Sequence, residues 1–304
     1  MIQYLKHREI DKERWDQSID NSTNRNIYAR SWFLDIVSPN WEAIVTEDYS
    51  YLMPVPVKKF FGLSYIVQPP LTKQLGIFGL NEIPGEIINE IIKELIKRYR
   101  YIRINLNSSS IISSTDNIMI KYLNNHYLNL NNTYELIRKK YKRRTYLNLN
   151  RAIKNGVFCK ENIEFKDFRK FAFDHSNYFN KKNKKKYFSM LDSIVAHLMV
   201  ENKVKIFGVY NTSNKLIASN LFFIEHDQVY NIINVSNKEG IATQSMYLLT
   251  DYAVQQFTGK YKILDFTGSN IKGIAYFLES FGAEPIKYQY IEVKDIKFPF
   301  KLFV

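Results

Sequence analysis

Between Ile83 and Arg100 the apolar residues recur every three or four positions. Ile87, Ile88, Ile91, Ile92, Leu95 and Ile96 share one helical face, and Pro84 sits near the start, where a missing N–H costs nothing. DKERWDQSID predicts an earlier helix with Asp11 as its cap, and a short one follows over Ala29–Val37. Around these helices the pattern turns to strands. IQYLKH reads as extended, WEAIVT and YLMPVPVKK as a pair, LSYIVQ as a third strand and IRINLN as a later one. The polar cluster QPPLTKQLG interrupts the alternation.

The later part runs in a similar order. A helix over NTYELIRKKYKRRTYLNLNRAIKNG precedes a helical region around Asp167–Glu201. KIFGVYN, KLIASNLFFIEH and QVYNIINVS then predict three successive strands, with turns at Asn211–Asn214 and His226–Asp227. TQSMYLLTDYAVQQF is a helix, YKILDF a strand, NIKGIAYFLESF a helix and IKYQYIEV a last strand. IRINLN answers YKILDF, and HYLNLN answers IKYQYIEV, which points to an internal duplication of an α/β unit. The expected domains are 1–132 and 133–304, each a mixed, largely antiparallel sheet flanked by helices.

Composition narrows the classes. A chain of 304 residues with 45% hydrophobic content is long enough for one large or two ordinary domains with a well-buried core. One cysteine, Cys159, excludes an internal disulfide, fits a reducing compartment and reads as a small buried residue. The start MIQYLKHREIDKERW has no apolar core of signal-peptide length, and no run reaches the roughly 18 apolar residues that span a bilayer, so the expectation is a cytoplasmic protein. The net charge of +13 suits a polyanionic partner such as tRNA, coenzyme A, a nucleotide-linked substrate or an anionic membrane face. An AT-rich coding sequence would give the same Lys-, Asn- and Ile-rich balance. The five histidines show no paired metal spacing, one cysteine makes no zinc site, and there is neither a G-x-S-x-G nor a Walker loop. KKNKKK (Lys181–Lys186) reads as a solvated loop.

Three stretches could carry chemistry. In SNKEGIATQSM a strand delivers Asn237, Gly240 supplies φ freedom, and Ala242 and Thr243 open a helix whose free N–H groups suit a phosphate; an ordinary strand-to-helix turn reads the same. In DFTGSNIKGIAYFLESFGAEP, a core strand stops at Thr267, Gly268 and Ser269, small enough for a ligand to approach the backbone, and Asn270 caps the next helix or bonds that ligand. In QPPLTKQLG, Pro69 and Pro70 remove the donors a phosphate needs, so Gln68, Thr72 and Gln74 shape an acceptor pocket or simply a rigid loop. Lys142, Arg143, Arg144, Arg151 and Lys154 form a basic run that binds phosphate or faces water.

Asn237-x-x-Gly240-x-Ala242 resembles the pyrophosphate loop of GNAT N-acetyltransferases, written Gln/Arg-x-x-Gly-x-Gly/Ala. Asn270 and Ala275 match the late GNAT motif in kind. Leu278, however, stands four residues before Gly282, where a thiolate-protonating Tyr is expected; Tyr276 lies two residues earlier, on another face. Phe277-Leu278-Glu279-Ser280-Phe281-Gly282 also resembles the Phe-Lys-x-x-Phe-Gly of Fem-type aminoacyl transferases, with Leu in place of Lys, and KYKRRTYLNLNRAIKNG is similar to their junction segment. The resemblance implies two tandem GNAT-like domains, the first degenerate, with an acyl-CoA cosubstrate at Val235, Asn237, Gly240, Ile241, Ala242, Thr243, Ser269 and Asn270. It implies polarisation of the carbonyl by backbone N–H groups around Asn234–Ser236, Tyr276 as the acid, and Glu225, His226 or Glu239 as base. The acceptor would meet Gln68, Gln74, Arg143 and Arg144, the basic run facing the interdomain groove. Three functions follow: an acyltransferase acting on an amine, a Fem-like transferase taking an aminoacyl group from tRNA to a peptidoglycan precursor, or a non-catalytic binding protein on the same scaffold.

Overall fold

The computed structural model describes residues 2–113, 117–176 and 181–295. The chain divides into two units, one made of residues 1–123 and 287–304 and the other of residues 124–286.

In the first unit, β1 (Ile2–Leu5), β2 (Glu42–Thr46), β3 (Tyr51–Val55) and β6 (Phe78–Gly79) form an antiparallel sheet in the order β1-β2-β3-β6. β4 (Val57–Phe60) pairs antiparallel with β5 (Leu63–Val67), and β5 pairs parallel with β7 (Tyr101–Asn105). Helix α1 (Lys12–Asn21) starts where Asp11 accepts the Arg14 N–H at 3.0 Å. It buries Trp15 and Ile19, and the Trp15 indole donates to the Ala29 carbonyl at 2.8 Å. After α2 (Ser31–Val37), α3 (Gly85–Arg98) buries Ile88, Ile91, Ile92 and Leu95 as its periodicity predicts, with Ile87 and Ile96 half-buried. Each such side chain contributes about 1.5–3 kcal/mol of hydrophobic stabilisation.

β8 (Met119–Asn129) leads into the second unit, which continues with β9 (Phe158–Lys160), β10 (Val204–Tyr210), β11 (Leu216–Glu225), β12 (Gln228–Ser236) and β13 (Ile263–Asp265). β9 to β12 are consecutive antiparallel neighbours, β12 and β13 are parallel, and β13 is antiparallel to the end of β8. The helices are α4 (Tyr134–Lys139), α5 (Arg143–Lys154), α6 (Phe165–His175), α7 (Lys181–Val200), α8 (Lys238–Ala242), α9 (Ser245–Phe257) and α10 (Lys272–Glu279). One face of the sheet meets α9, where Phe207, Phe222 and Phe257 pack with ring centroids 5.0–5.5 Å apart. The KKNKKK run, expected as a loop, opens α7. Lysine is a good helix former and its ammonium reaches water from a helix as readily as from a loop.

β14 (Glu284–Lys294) explains why the observed division departs from the expected break at 132/133. Its Tyr290–Lys294 segment pairs antiparallel with β7 in the first unit, while Tyr127–Asn129 of β8 pairs antiparallel with β13 in the second. Each half of the sequence therefore completes the other half's sheet with its final strand, and each unit has the same succession: a parallel pair, then an antiparallel strand. Among the described residues no helix is long and apolar enough to cross a membrane.

Candidate functional site

β12 and β13 run parallel for only three residue pairs, Gln228↔Ile263, Val229↔Leu264 and Tyr230↔Asp265. β12 continues to Ser236, and β13 ends. The loop after Asp265 supplies the cause. Asp265 Oδ1 accepts the Thr267 N–H at 2.6 Å and the Asn125 amide at 3.0 Å, which turns the chain sharply. Thr267 sits at φ 54° and donates its hydroxyl to the Asn231 carbonyl at 2.9 Å, and Gly268 follows at φ 64°. A Cβ on Gly268 would lie 2.5 Å from the Asn124 carbonyl oxygen, so its smallness lets the loop close on its own strand β8 rather than on a ligand. Asn270 Oδ1 accepts the Asn124 N–H at 3.0 Å and does not cap α10, whose N-cap is Ile271; Ser269 Oγ accepts the Ile271 N–H at 3.1 Å. Gly268 and Asn270 thus hold this loop against β8, while Thr267 ties its start to β12 at Asn231. Beyond Asn231, β12 has no strand partner on that side among the described residues, and a gap opens.

The far end of the gap is the loop after β12. Asn237 caps α8, its side chain accepting the Gly240 N–H at 2.8 Å while its own N–H donates to the Ile217 carbonyl at 3.0 Å. Gly240 does not use positive φ. A Cβ there would lie 2.2 Å from the Ile217 oxygen, so glycine is required because α8 rests directly on β11. Ile241 and Ala242 are exposed, Val235 is buried, and Thr243 donates to the Glu239 carbonyl at 2.8 Å. Gln244, at φ 61°, then redirects the chain into α9.

The structure does not bring the three expected catalytic residues together. Asn234 lies on β12 beyond the parallel pairing. Glu225 lies at the opposite end of the β11–β12 ladder, paired with Gln228, so six residues of strand, about 20 Å, separate it from Asn234. Its carboxylate is held by Lys203 at 2.9 Å, with His226 at 3.8 Å. Glu239 is exposed and accepts the Asn211 amide at 2.7 Å. Tyr276, on α10, is exposed, with the Lys142 ammonium 5.0 Å and the Arg144 guanidinium 6.0 Å from its ring centre. Lys142, Arg143 and Arg144 crowd the start of α5 with no acidic residue in its first turn, adding positive charge to the positive end of the helix dipole. The start of α5 is tied to the end of α10 through Lys142 N–H and Thr145 Oγ, both donating to the Ser280 carbonyl at 2.9 Å. Leu278 faces the core, 5% exposed. α10 ends at Glu279, and the turn that follows closes at Gly282, φ 83°, after Phe281 has entered an aromatic cluster with Tyr141, Tyr247 and Phe277.

Sequence reasoning passed over His126. It is fully buried on β8, its Nε2 3.6 Å from a Glu279 oxygen that lies beside Lys142, 3.7 Å from the other. Burial pushes its imidazole below the ordinary 6.5, with Glu279 opposing, so the ring is neutral near pH 7. Its place in the alternation of HYLNLN was the available signal. Cys159, expected as a small buried residue, is half-buried on β9, and desolvation there pushes its thiol up to about 12.

The first unit has a parallel pair as well, Ile66↔Ile102 and Val67↔Arg103, but no gap beside it. Gln68 Oε1 accepts the Asn105 N–H at 2.9 Å, and its amide donates to Thr72 at 2.8 Å. Leu75 then returns to bridge Leu106 and donates to the Asn105 carbonyl at 2.9 Å. The QPPLTKQ loop fills the place that stays open in the second unit, and Gln74 is buried in it.

No protein-family model matches the chain, and no curated protein matches it. Solved structures do. FemX superposes with a TM-score of 0.66 at 10% identity, covering 99% of each chain. L-PGS from Bacillus licheniformis gives 0.54 at 11% identity over 96% of this chain and 95% of that one. A tandem GNAT protein from the clavulanic acid biosynthesis pathway gives 0.50 at 9% identity over 96% and 98%. Likeness at such identities is a likeness of fold, and the chain carries the FemAB-like tandem GNAT fold.

Proposed function

We propose that the chain is an acyltransferase that moves an acyl group from a thioester carrier of the coenzyme A class to an amine. One observation carries the reading: the gap beside β12 stays open in the second unit, while the corresponding place in the first is plugged by Gln68 and Leu75. An unpaired strand edge offers backbone N–H and C=O groups to an extended carrier, as a further strand would. The carbonyl lies against N–H groups near Asn234–Ser236. The amine attacks the carbonyl carbon, a C–N bond forms, the C–S bond breaks and its electron pair leaves on sulfur. In this reading the Tyr276 hydroxyl protonates that thiolate, a water takes the proton the amine nitrogen sheds, and the Lys142 and Arg144 cations beside the tyrosine ring balance the phenolate left behind. With no metal-ligand spacing in the sequence, the catalytic power is chiefly positioning. Arg143 and Arg144 suit an anionic acceptor, and the single cysteine and the absence of a crossing helix among the described residues suit a cytoplasmic reaction.

A second reading has its own support. The three cations at the start of α5, the charge of +13 and the FemX fold suit an aminoacyl transferase that takes its acyl group from tRNA and passes it to a peptidoglycan precursor. Calorimetric titration with acetyl-CoA and with aminoacyl-tRNA at two salt concentrations separates the two. Coenzyme A binding with weak salt dependence supports the first. Binding of tRNA alone, falling steeply with salt, overturns it. Binding without any product from a panel of amines points to the non-catalytic function, for which the core-facing Leu278 stands in place of the motif Tyr or Lys.

A further inference from the structure

The α9 face of the second unit's sheet is aromatic and aliphatic where Phe207, Phe222 and Val229 meet Phe257. It changes character beside the gap. The β11–β12 register sets Asn220 opposite Asn234, Phe222 opposite Asn231 and Ala218 opposite Ser236, and residues directly opposite share a face. A slip between Leu221 and Phe222 absorbs one residue of β12, which keeps Asn231 and Asn234 on the same side despite their odd spacing.

Asn220 is 0% exposed, and among the described residues neither its amide nitrogen nor its oxygen has a hydrogen-bond partner. Asn231 Oδ1 and Ser236 Oγ are buried and unpartnered too. By contrast Ser219, next in the chain, donates its hydroxyl to the Phe207 carbonyl at 2.7 Å. Buried polar side chains are almost always bonded, and leaving one unpaired is costly. The three groups share one face, Asn231 and Ser236 on β12, which borders the gap, and Asn220 on its neighbour β11, and polar atoms from outside the chain would satisfy them.

We propose that Asn220, with Asn231 and Ser236, forms the pocket for the transferred group, and that it selects an acyl group bearing a hydroxyl or amino substituent over a plain aliphatic one. The proposal rests on the acyl-carrier reading of the gap. Asn220 offers two N–H donors and a carbonyl acceptor. A hydroxyl or ammonium proton meets Asn220 Oδ1 or Asn231 Oδ1, and the Asn220 amide donates to a hydroxyl oxygen. An aliphatic acyl group leaves all of them unpaired, and a site built to hydrogen-bond rejects an analogue lacking the group far more strongly than an apolar pocket rejects an extra one.

The test compares the full chain with Asn220→Leu, close in volume and free of polar atoms, by thermal melting and by calorimetry with propionyl-, lactyl- and alanyl-CoA. The wild type should bind the lactyl or alanyl thioester at least about 100-fold more tightly than the propionyl one. Asn220→Leu should lose that preference and, without ligand, melt a few degrees higher because an unpaired amide has left the core. If the leucine does not fit, Asn220→Val repeats the comparison. Equal binding of all three thioesters by the wild type overturns the pocket and keeps the acyl-carrier reading. Binding of none removes that reading, and the pocket with it. A lower melting temperature in both variants means that the amide is satisfied in the free protein, which also overturns the proposal.

Discussion

Gly240→Ala tests what the Asn-x-x-Gly-x-Ala loop is built for. The new methyl carbon would lie 2.2 Å from the Ile217 oxygen and 3.0 Å from its carbonyl carbon. A carbon and an oxygen rest about 3.3 Å apart even in the closest attractive contacts, so α8 must retreat from β11 by roughly 1 Å. The retreat strains the 3.0 Å bond from Asn237 N–H to Ile217 and the 2.8 Å cap from Asn237 to the Gly240 N–H. Two hydrogen bonds at about 1 kcal/mol each, with about 1–3 kcal/mol of overpacking, outweigh the roughly 1 kcal/mol that alanine gains over glycine in a helix. The net loss is about 2–4 kcal/mol, which in a unit of this size lowers the melting temperature by about 5–15 °C. Circular dichroism melting without ligand reads it, and Ala242→Glu, an exposed position one residue beyond Ile241, serves as the companion that should leave melting unmoved. A Gly240→Ala protein that melts like the wild type but no longer binds acyl-CoA would refute the packing argument and return the glycine to a phosphate-cradling role.

Three further outcomes follow from single groups. His126 titrates below its ordinary 6.5 in the folded chain, so on acidification the unfolded chain takes up the proton first. Stability should therefore fall as the pH drops from about 6.5 toward the folded value, and His126→Gln should flatten that part of the urea-unfolding profile; an unchanged slope rejects it. Burial raises the Asp251 carboxyl above its ordinary 3.8, against the Tyr134 hydroxyl that donates to both its oxygens at 3.0 Å. The stability linked to this group is full below 3.8 and lost as pH rises through the folded value, so Asp251→Asn should stabilise the protein near neutral pH more than near pH 4, and equal effects at both would count against it. Gly282→Ala forces a left-handed φ of 83° on a residue with a Cβ, 3.2 Å from the Lys140 side chain, and should cost about 1–2 kcal/mol in chemical denaturation; no loss would show that the helix stop tolerates another backbone shape.

The elements were legible because periodicity is local. The stripe of α3, the Asp11 cap and the succession of β10, β11 and β12 all follow from spacing within a dozen residues. Long-range pairing was not legible. HYLNLN and IKYQYIEV are alike in pattern, and nothing in either says that each joins the sheet of the other half, because alternation encodes a face and not a partner. Glu225 shows the same limit: a position at a strand end can be read from sequence, but which end faces the gap depends on register.

Residue type alone left function and packing entangled at the gap itself. Gly268 and Gly240 are both glycines that let a backbone come close, and in both cases the backbone belongs to this chain. The polar loop Thr267 to Asn270 spends its side chains within the chain, Thr267 on the Asn231 carbonyl of β12, Ser269 on the Ile271 N–H and Asn270 on the Asn124 N–H of β8. Asn220, Asn231 and Ser236, with buried polar atoms left unpartnered, lie within KLIASNLFFIEH and QVYNIINVS, strands whose Asn reads as a break in a hydrophobic run. An asparagine inside a buried strand is costly unless bonded, which makes it a stronger pointer to a ligand than a small residue in a turn. The two halves sharpen this. Where the first unit sends Gln68 into the place beside its parallel pair and satisfies both ends of that amide, the second leaves the edge of β12 unpaired and Asn220 on the neighbouring strand unsatisfied, so the two copies of one architecture differ at the same place.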